Sequence, residues 1–169
     1  MRNIVIIFLV GYLSSFDSFA QNVQDSTNQV VNDTSLSKIS TTKVDEIINL
    51  AKSLIGTPYV WGGITPSGFD CSGFINYIFG FYGYTLVRTS FNLAELGETV
   101  TLSNAQPGDL MFFRAPNNTG GVGHVGMVIE VTSDAILFIH SSSKRGVTIS
   151  NFSTSKYYIS HYVKTKRLD

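Results

Sequence analysis

The sequence predicts an α+β domain in which helices come first and an antiparallel sheet of roughly five or six strands follows. Two observations carry this. Val44, Ile47, Ile48, Ala51, Leu54 and Ile55 recur at helical spacing along one apolar face. Beyond Pro107 the pattern changes: "DLMFFR", "HVGMVIEV", "AILFIHSS", "VTISNF" and "YYISHYVKT" are rich in β-branched and aromatic residues and are separated by Gly, Asn, Ser and Asp clusters. Helices grouped ahead of strands argue against the alternation that builds a parallel sheet.

Taken in order, residues 1–20, "MRNIVIIFLVGYLSSFDSFA", join a basic start at Arg2 to an apolar stretch and a small-x-small ending at Ser18-Phe19-Ala20. That is the layout of a secretory leader, and the apolar stretch is short of the roughly 20 residues a membrane span needs. An exported protein, in the periplasm or the extracellular cell-wall space, is expected, mature from about Gln21 and without a stable membrane anchor. Residues 21–42 are polar, without periodicity, and read as a flexible tether ahead of a domain over 43–169. Twelve basic and twelve acidic residues cancel, so no basic footprint for nucleic acid exists. With 43% hydrophobic and 14% charged residues, the chain has the composition of a buried globular core, and a monomer is expected.

Thr42 followed by Asp45 resembles a capping box for the first helix, which Gly56 and Pro58 stop. "TPYVWGGITPSGFD" is then a loop whose Tyr59 and Trp61 are expected to pack on the core. Asp70 stands where an N-cap would, ahead of a helix from about Cys71 to Phe81 whose stripe Phe74, Tyr77, Ile78 and Phe81 reads as core packing. A weaker helix is expected within Ser90–Leu96. The Gly/Asn-rich stretch 115–123 leads into His124 as a connector or a lid.

Cys71 is the single cysteine, and an exported chain with one thiol cannot close an internal disulfide. At a helix head, the outward N–H groups and the positive dipole end favour thiolate and can lower a thiol pKa. Of the histidines, His124 and His140 flank a "TSD" connection of hairpin size. A turn centred on Ser133 sets residue 124 opposite residue 142 and both imidazoles on one face, where Gly126 has no side chain to block an approaching helix. A shift of half a register would separate them. His161, in the last strand, reads as structural. The set Cys71, His124 and His140 fits a thiol nucleophile, its base and the residue that orients the base. The spacing alone leaves a buried inert Cys and two sheet histidines equally open. It also leaves a zinc site on the same three residues, although no close ligand pair along the sequence supports one.

"DCSGF", "PGDLMFF", "HVGMVI" and "FIHSSS", together with the upstream "GTPYVWGG", occur in the order and spacing of the NlpC/P60 family of cell-wall cysteine peptidases, which the chain resembles over about residues 43–165. The resemblance implies a papain-like fold, no cofactor or metal, and hydrolysis of amide bonds in peptidoglycan stem peptides through a thioester, typically between D-glutamate and the diamino acid. It implies Cys71 as nucleophile, His124 as base and His140 as the orienting residue. Tyr59 is matched to the oxyanion region, Ser72 to a contact beside it and Asp70 to substrate binding. Arg88 and Ser90 survive in "LVRTSFNLAE", where Val87 replaces a usual Pro and Asn92-Leu93 stand where Gln is expected; Arg88 could grip a substrate carboxylate or be a solvated charge. Ser141 and Ser142 replace a commoner Ala. A catalytically silent wall-binding module of the same fold and acyl transfer from the same thioester are the other readings.

Overall fold

The computed structural model describes residues 41–115 and 120–168. The expected leader, nearly all of the tether and residues 116–119 of the stretch before His124 lie outside the described residues. No helix among the described residues is long and apolar enough to cross a membrane.

The first helix, α1 (Thr41–Ser53), buries Ile47, Ile48 and Ala51. It already includes Thr41 and Thr42, so the Thr42/Asp45 pair lies inside it rather than capping it. Its apolar face ends one turn earlier than the spacing suggests, since Ile55 is exposed beyond the last helical residue. A two-stranded hairpin, β1 (Ile64–Thr65) and β2 (Gly68–Phe69), then delivers the chain to α2 (Cys71–Gly80). The hairpin lies directly on the helix head: a Cβ on Gly73 would stand 2.0 Å from the carbonyl oxygen of Gly63, so only glycine fits there. Phe74, Ile75, Ile78 and Phe79 are buried. Phe81, expected in the core stripe, is 65% exposed because the helix has ended and the chain turns away.

After a single turn, α3 (Ser90–Leu93), come β3 (Glu98–Val100), a 3₁₀ turn at Leu102–Asn104, β4 (Leu110–Arg114), β5 (Val122–Val131), β6 (Ile136–Ser142), β7 (Gly146–Asn151), α4 (Lys156–His161) and β8 (Tyr162–Arg167). The large strands form one six-stranded sheet in the order β3-β8-β4-β5-β6-β7, antiparallel throughout. Its two faces read off the alternation of the strands. Leu110, Phe112, Val125, Met127 and Ile139 pack with α1 and α2 residues, while Met111, Phe113, Val128, Phe138 and Phe152 form a second core with Tyr158 and Tyr162.

The segment "KYYISH" corrects the expectation of a strand through His161. Ser155 accepts a hydrogen bond from the Tyr158 N–H and caps a helix there. Tyr158 packs its ring on Phe113 and Phe138, 5.2 and 4.8 Å between centroids. Tertiary packing overrides the β propensity of its residues. His161 thus ends a helix, stacked on Tyr157 at 4.2 Å. The short strands β1, β2 and β3 have too few residues to show a period in sequence.

Candidate active site

Asp70 is the N-cap of α2, with the Gly73 N–H donating to its Oδ1 at 2.6 Å. The same carboxylate takes the Gly62 N–H at 3.0 Å and the Ser72 hydroxyl at 3.3 Å. Arg88 closes on it with both arms: Nη1 donates to Oδ1 at 3.0 Å and Nη2 to Oδ2 at 2.5 Å, while Nη1 also reaches Ser72 Oγ at 2.9 Å. The Arg88 fork is therefore taken up by Asp70. Burial would raise the Asp70 pKa, but Arg88, the Gly73 N–H and Ser72 together hold it below the usual carboxylate value.

Cys71 opens the helix and is 9% exposed, neither fully sealed nor on open surface. The backbone N–H groups of Val125, Ser72 and Cys71 itself favour its thiolate. Against expectation these do not win. Burial first, and the Asp70 charge second, push the thiol above its ordinary value, so it rests protonated. Tyr59 pairs by an isolated bridge with Phe69 and is half-buried. Its hydroxyl is raised by burial, then by Cys71 and Asp70, and lowered by Arg88, so it stands within electrostatic reach of all three. Ser90 begins α3, and among the described residues no side-chain hydrogen bond joins it to this cluster.

The imidazoles meet on the second face of the sheet. Near the turn, Val131 pairs with Ile136 and Glu130 with Leu137; past a bulge at Ile129, Val128 pairs with Phe138 and Met127 with Ile139. Continuing that register sets Gly126 opposite His140 and residue 124 opposite residue 142. Without the bulge, Met127 would face His140 and the two rings would point to opposite faces. The two rings thus come together on one face, through an irregularity that sequence does not reveal, while the pairing of residue 124 with residue 142 lies past the end of the ladder. His124 Nε2 and His140 Nδ1 share a hydrogen bond at 2.9 Å, with ring centroids 4.9 Å apart and nearly perpendicular. Gly126 makes room for His140 itself rather than for a helix: its Cβ would stand 2.6 Å from Phe138 Cδ2 and 2.9 Å from His140 Cβ.

Burial lowers the His124 pKa to about 4; burial, then the neighbouring His124 and Arg145, pull that of fully buried His140 well below its ordinary value. Both rings rest neutral at pH 7. Among the described residues no side-chain hydrogen bond joins Cys71 to either ring; the tie is Val125, next in sequence to His124, whose N–H serves the sulfur. The β5–β6 ladder stops at Met127 and Ile139, and α2 packs against both strands.

Sequence reasoning missed what lies behind His140. Its Nε2 is 3.0 Å from Ser150 Oγ on β7 and 3.2 Å from the Tyr158 hydroxyl on α4. Only the apolar alternation of β7 hinted that Ser150 faces inward, and the strand expected over 157–165 hid Tyr158. Trp61, expected to pack on the core, is 88% exposed, because its hairpin carries it outward. Among the described residues no group of three His, Cys, Asp or Glu side chains is arranged to hold a metal, and the facing nitrogens of His124 and His140 are bonded to one another.

Comparison with known proteins gives a consistent set of matches. Residues 56–167 match the NlpC/P60 family. A γ-D-glutamyl-L-lysine dipeptidyl-peptidase of Bacillus cereus is 36% identical over 129 residues, 76% of this chain and 38% of that protein. The probable peptidoglycan endopeptidase LytE of Bacillus subtilis is 37% identical over 124 residues, 73% of this chain and 34% of that protein. The chain thus spans under two-fifths of the length of either relative. The crystal structure of an NlpC/P60 family protein from Bacillus cereus superposes with a TM-score of 0.67 at 36% identity, covering 76% of this chain and 41% of that one.

Proposed function

This chain belongs to the NlpC/P60 family, and from that premise we propose that it is an exported cysteine peptidase that hydrolyses amide bonds in peptidoglycan stem peptides, at the bond between D-glutamate and the diamino acid. The observation that carries the reading is the convergence at the head of α2: a low-exposure thiol served by the N–H of Val125, next to His124, whose far nitrogen is held by His140. With Nε2 engaged, His124 keeps Nδ1 free as the base.

In the proposed reaction the Cys71 proton passes to His124 Nδ1 as sulfur bonds to the amide carbon and the carbonyl oxygen becomes an oxyanion. Tyr59 and the backbone N–H groups at the helix head are assigned to that oxyanion. The C–N bond then breaks, His124 returns its proton to the departing amine, and a thioester remains. Water, losing a proton to His124, attacks the thioester; the S–C bond breaks and the thiol is restored. Because thiol and imidazole both rest neutral, this base must act at the moment of attack rather than hold a standing thiolate. The Asp70, Ser72 and Arg88 cluster, with Ser90 near it in sequence, is assigned to shaping the acyl side of the cleft. The dipeptidyl-peptidase relative, whose name specifies a γ-D-glutamyl-L-lysine bond, supports the choice of bond.

The test is mass spectrometry of muropeptides of defined composition digested by the purified protein. New amino termini on the diamino acid are expected, with at least about a thousandfold loss in Cys71→Ala at an unchanged melting temperature. Cleavage retained in that variant, or no cleavage by the native thiol, overturns the proposal.

A further inference from the structure

Behind His140 the hydrogen-bond chain ends on a guanidinium rather than a carboxylate. Ser150 Oγ, 3.0 Å from His140 Nε2, accepts a hydrogen bond from Arg145 Nη2 at 3.0 Å. The Tyr158 hydroxyl, 3.2 Å from the same imidazole nitrogen, also interacts with Ser150 and Arg145. Arg145 sits in the turn between β6 and β7, with its backbone N–H bonded to Ser142 O, and projects back along β7. Its guanidinium only donates and stays charged.

A carboxylate in this place would draw positive charge onto the second histidine. A guanidinium does the opposite. It repels a proton arriving on His140, and it has no lone pair to receive one passed along the chain. We propose that Arg145, acting through Ser150 and Tyr158, is a positioning residue that confines the proton taken from the thiol to His124 and keeps His140 a neutral partner. This rests on the reaction proposed above, and it adds a stop to the chain behind the imidazole pair. The proton is then held where the departing amine can collect it.

The groups that face the pair are few. Tyr158 comes from α4, Ser150 from β7 and Arg145 from the β6–β7 turn, while β4 and β6 contribute the apolar rings of Phe113 and Phe138. Among the interactions that shift either imidazole no carboxylate figures; burial alone lowers His124, and Arg145 is the fixed charge that acts on His140. Arg145 is an exposed residue, so screening keeps its influence modest.

The experiment compares the full chain with Arg145→Met and Arg145→Lys. Histidine ring resonances are titrated by NMR from about pH 8 down to about pH 3, a range that brackets the native His124 value of about 4. The His124–His140 pair is expected to take up its proton about half a pH unit higher in Arg145→Met and to return to the native position in Arg145→Lys. In hydrolysis, the acid limb of kcat/KM should move upward by the same half unit, about a threefold loss at any pH on that limb. An unmoved titration in a folded Arg145→Met overturns the proposal whatever the activity. A shifted titration in a protein that cleaves no muropeptide sustains it and overturns the peptidase reading instead.

Discussion

The two sides of the proposed site solve one problem by opposite means. On the thiol side, charge is gathered: Asp70 holds two backbone N–H groups, the Ser72 hydroxyl and both arms of Arg88, whose side chain is 42% exposed. On the imidazole side the histidines are neutral, His140 stacks on Phe138 at 4.8 Å, and the hydrogen bonds run between uncharged rings and hydroxyls. The ionic side fixes position, since each bond to Asp70 ties the loop, the hairpin or the Arg88 segment to the helix head. The neutral side fixes proton affinity, since burial without a carboxylate leaves both rings weak bases at rest. The thiol is raised by burial and the imidazoles are lowered by it, so both rest uncharged; in the proposed reaction they stay so until substrate arrives.

The contrast breaks first at Asp70. Replacing it with Ala removes the helix cap, the Gly62 tie and the partner of Arg88 together. The cap is worth about 1 kcal/mol and the stranded donors add to it, with the Arg88 share reduced by solvent, for a loss of about 3 kcal/mol in urea unfolding at pH 7. Stability and reactivity should part company. With the neighbouring negative charge gone, the Cys71 thiol ionises more readily, so iodoacetamide should label the folded variant faster than the native protein. Slower labelling, or a loss below about 1 kcal/mol, would mean that the cluster neither anchors the helix head nor restrains the thiol.

The imidazole side answers to acid. Below pH 6.5 an unfolded chain protonates His124, whereas the folded chain resists until about pH 4. The unfolded state binds more protons across that window, so stability falls as pH drops from 6.5 towards 4 and is flat above it. The separation of 6.5 from about 4 is equivalent to about 3 kcal/mol. His124 as a residue is only half-buried, so about 2 kcal/mol is expected in unfolding measured at pH 7 and again near pH 4. His124→Gln should remove the His124 share of that slope and leave the share of His140, whose pKa is also lowered; an unchanged slope would assign the acid sensitivity to other groups.

The same contrast explains what sequence could tell. The thiol side is local: an Asp before a Cys, ahead of Phe74 and Ile78 at helical spacing, states the cap and the helix without help from the rest of the chain. The imidazole side is non-local. Whether His124 and His140 share a face depends on one bulged residue, Ile129, and whether His140 has a partner depends on Ser150 and on Tyr158 in a helix written with strand-forming residues. Neither leaves a periodic trace. A turn assumed at Ser133 sets both rings on one face without the bulge, and the family resemblance adds the roles that spacing leaves open. The resemblance keeps Arg88 as a motif residue but does not foretell its engagement with Asp70, which comes from a loop that folds back over the helix head.

Ser141 is where the two sides are fastened together, and it is also a departure from the family's commoner Ala. Its hydroxyl donates to the Phe69 carbonyl oxygen at 2.8 Å, and the residue is fully buried. The bond joins the strand that carries His140 to the residue just ahead of Asp70 and Cys71. An Ala here would fit the same space and lose the bond, leaving the Phe69 carbonyl one partner short while its bond from the Val60 N–H at 3.1 Å remains. Because that oxygen is not orphaned, Ser141→Ala should cost only about 1 kcal/mol in urea unfolding. Its effect on kcat/KM separates two ideas of the cleft. If the sulfur and the rings keep their spacing through the Val125 backbone and the packing of α2, hydrolysis falls less than about threefold. A loss of tenfold or more at unchanged fold would show that this single buried hydroxyl, rather than the core, sets the distance between thiol and imidazole.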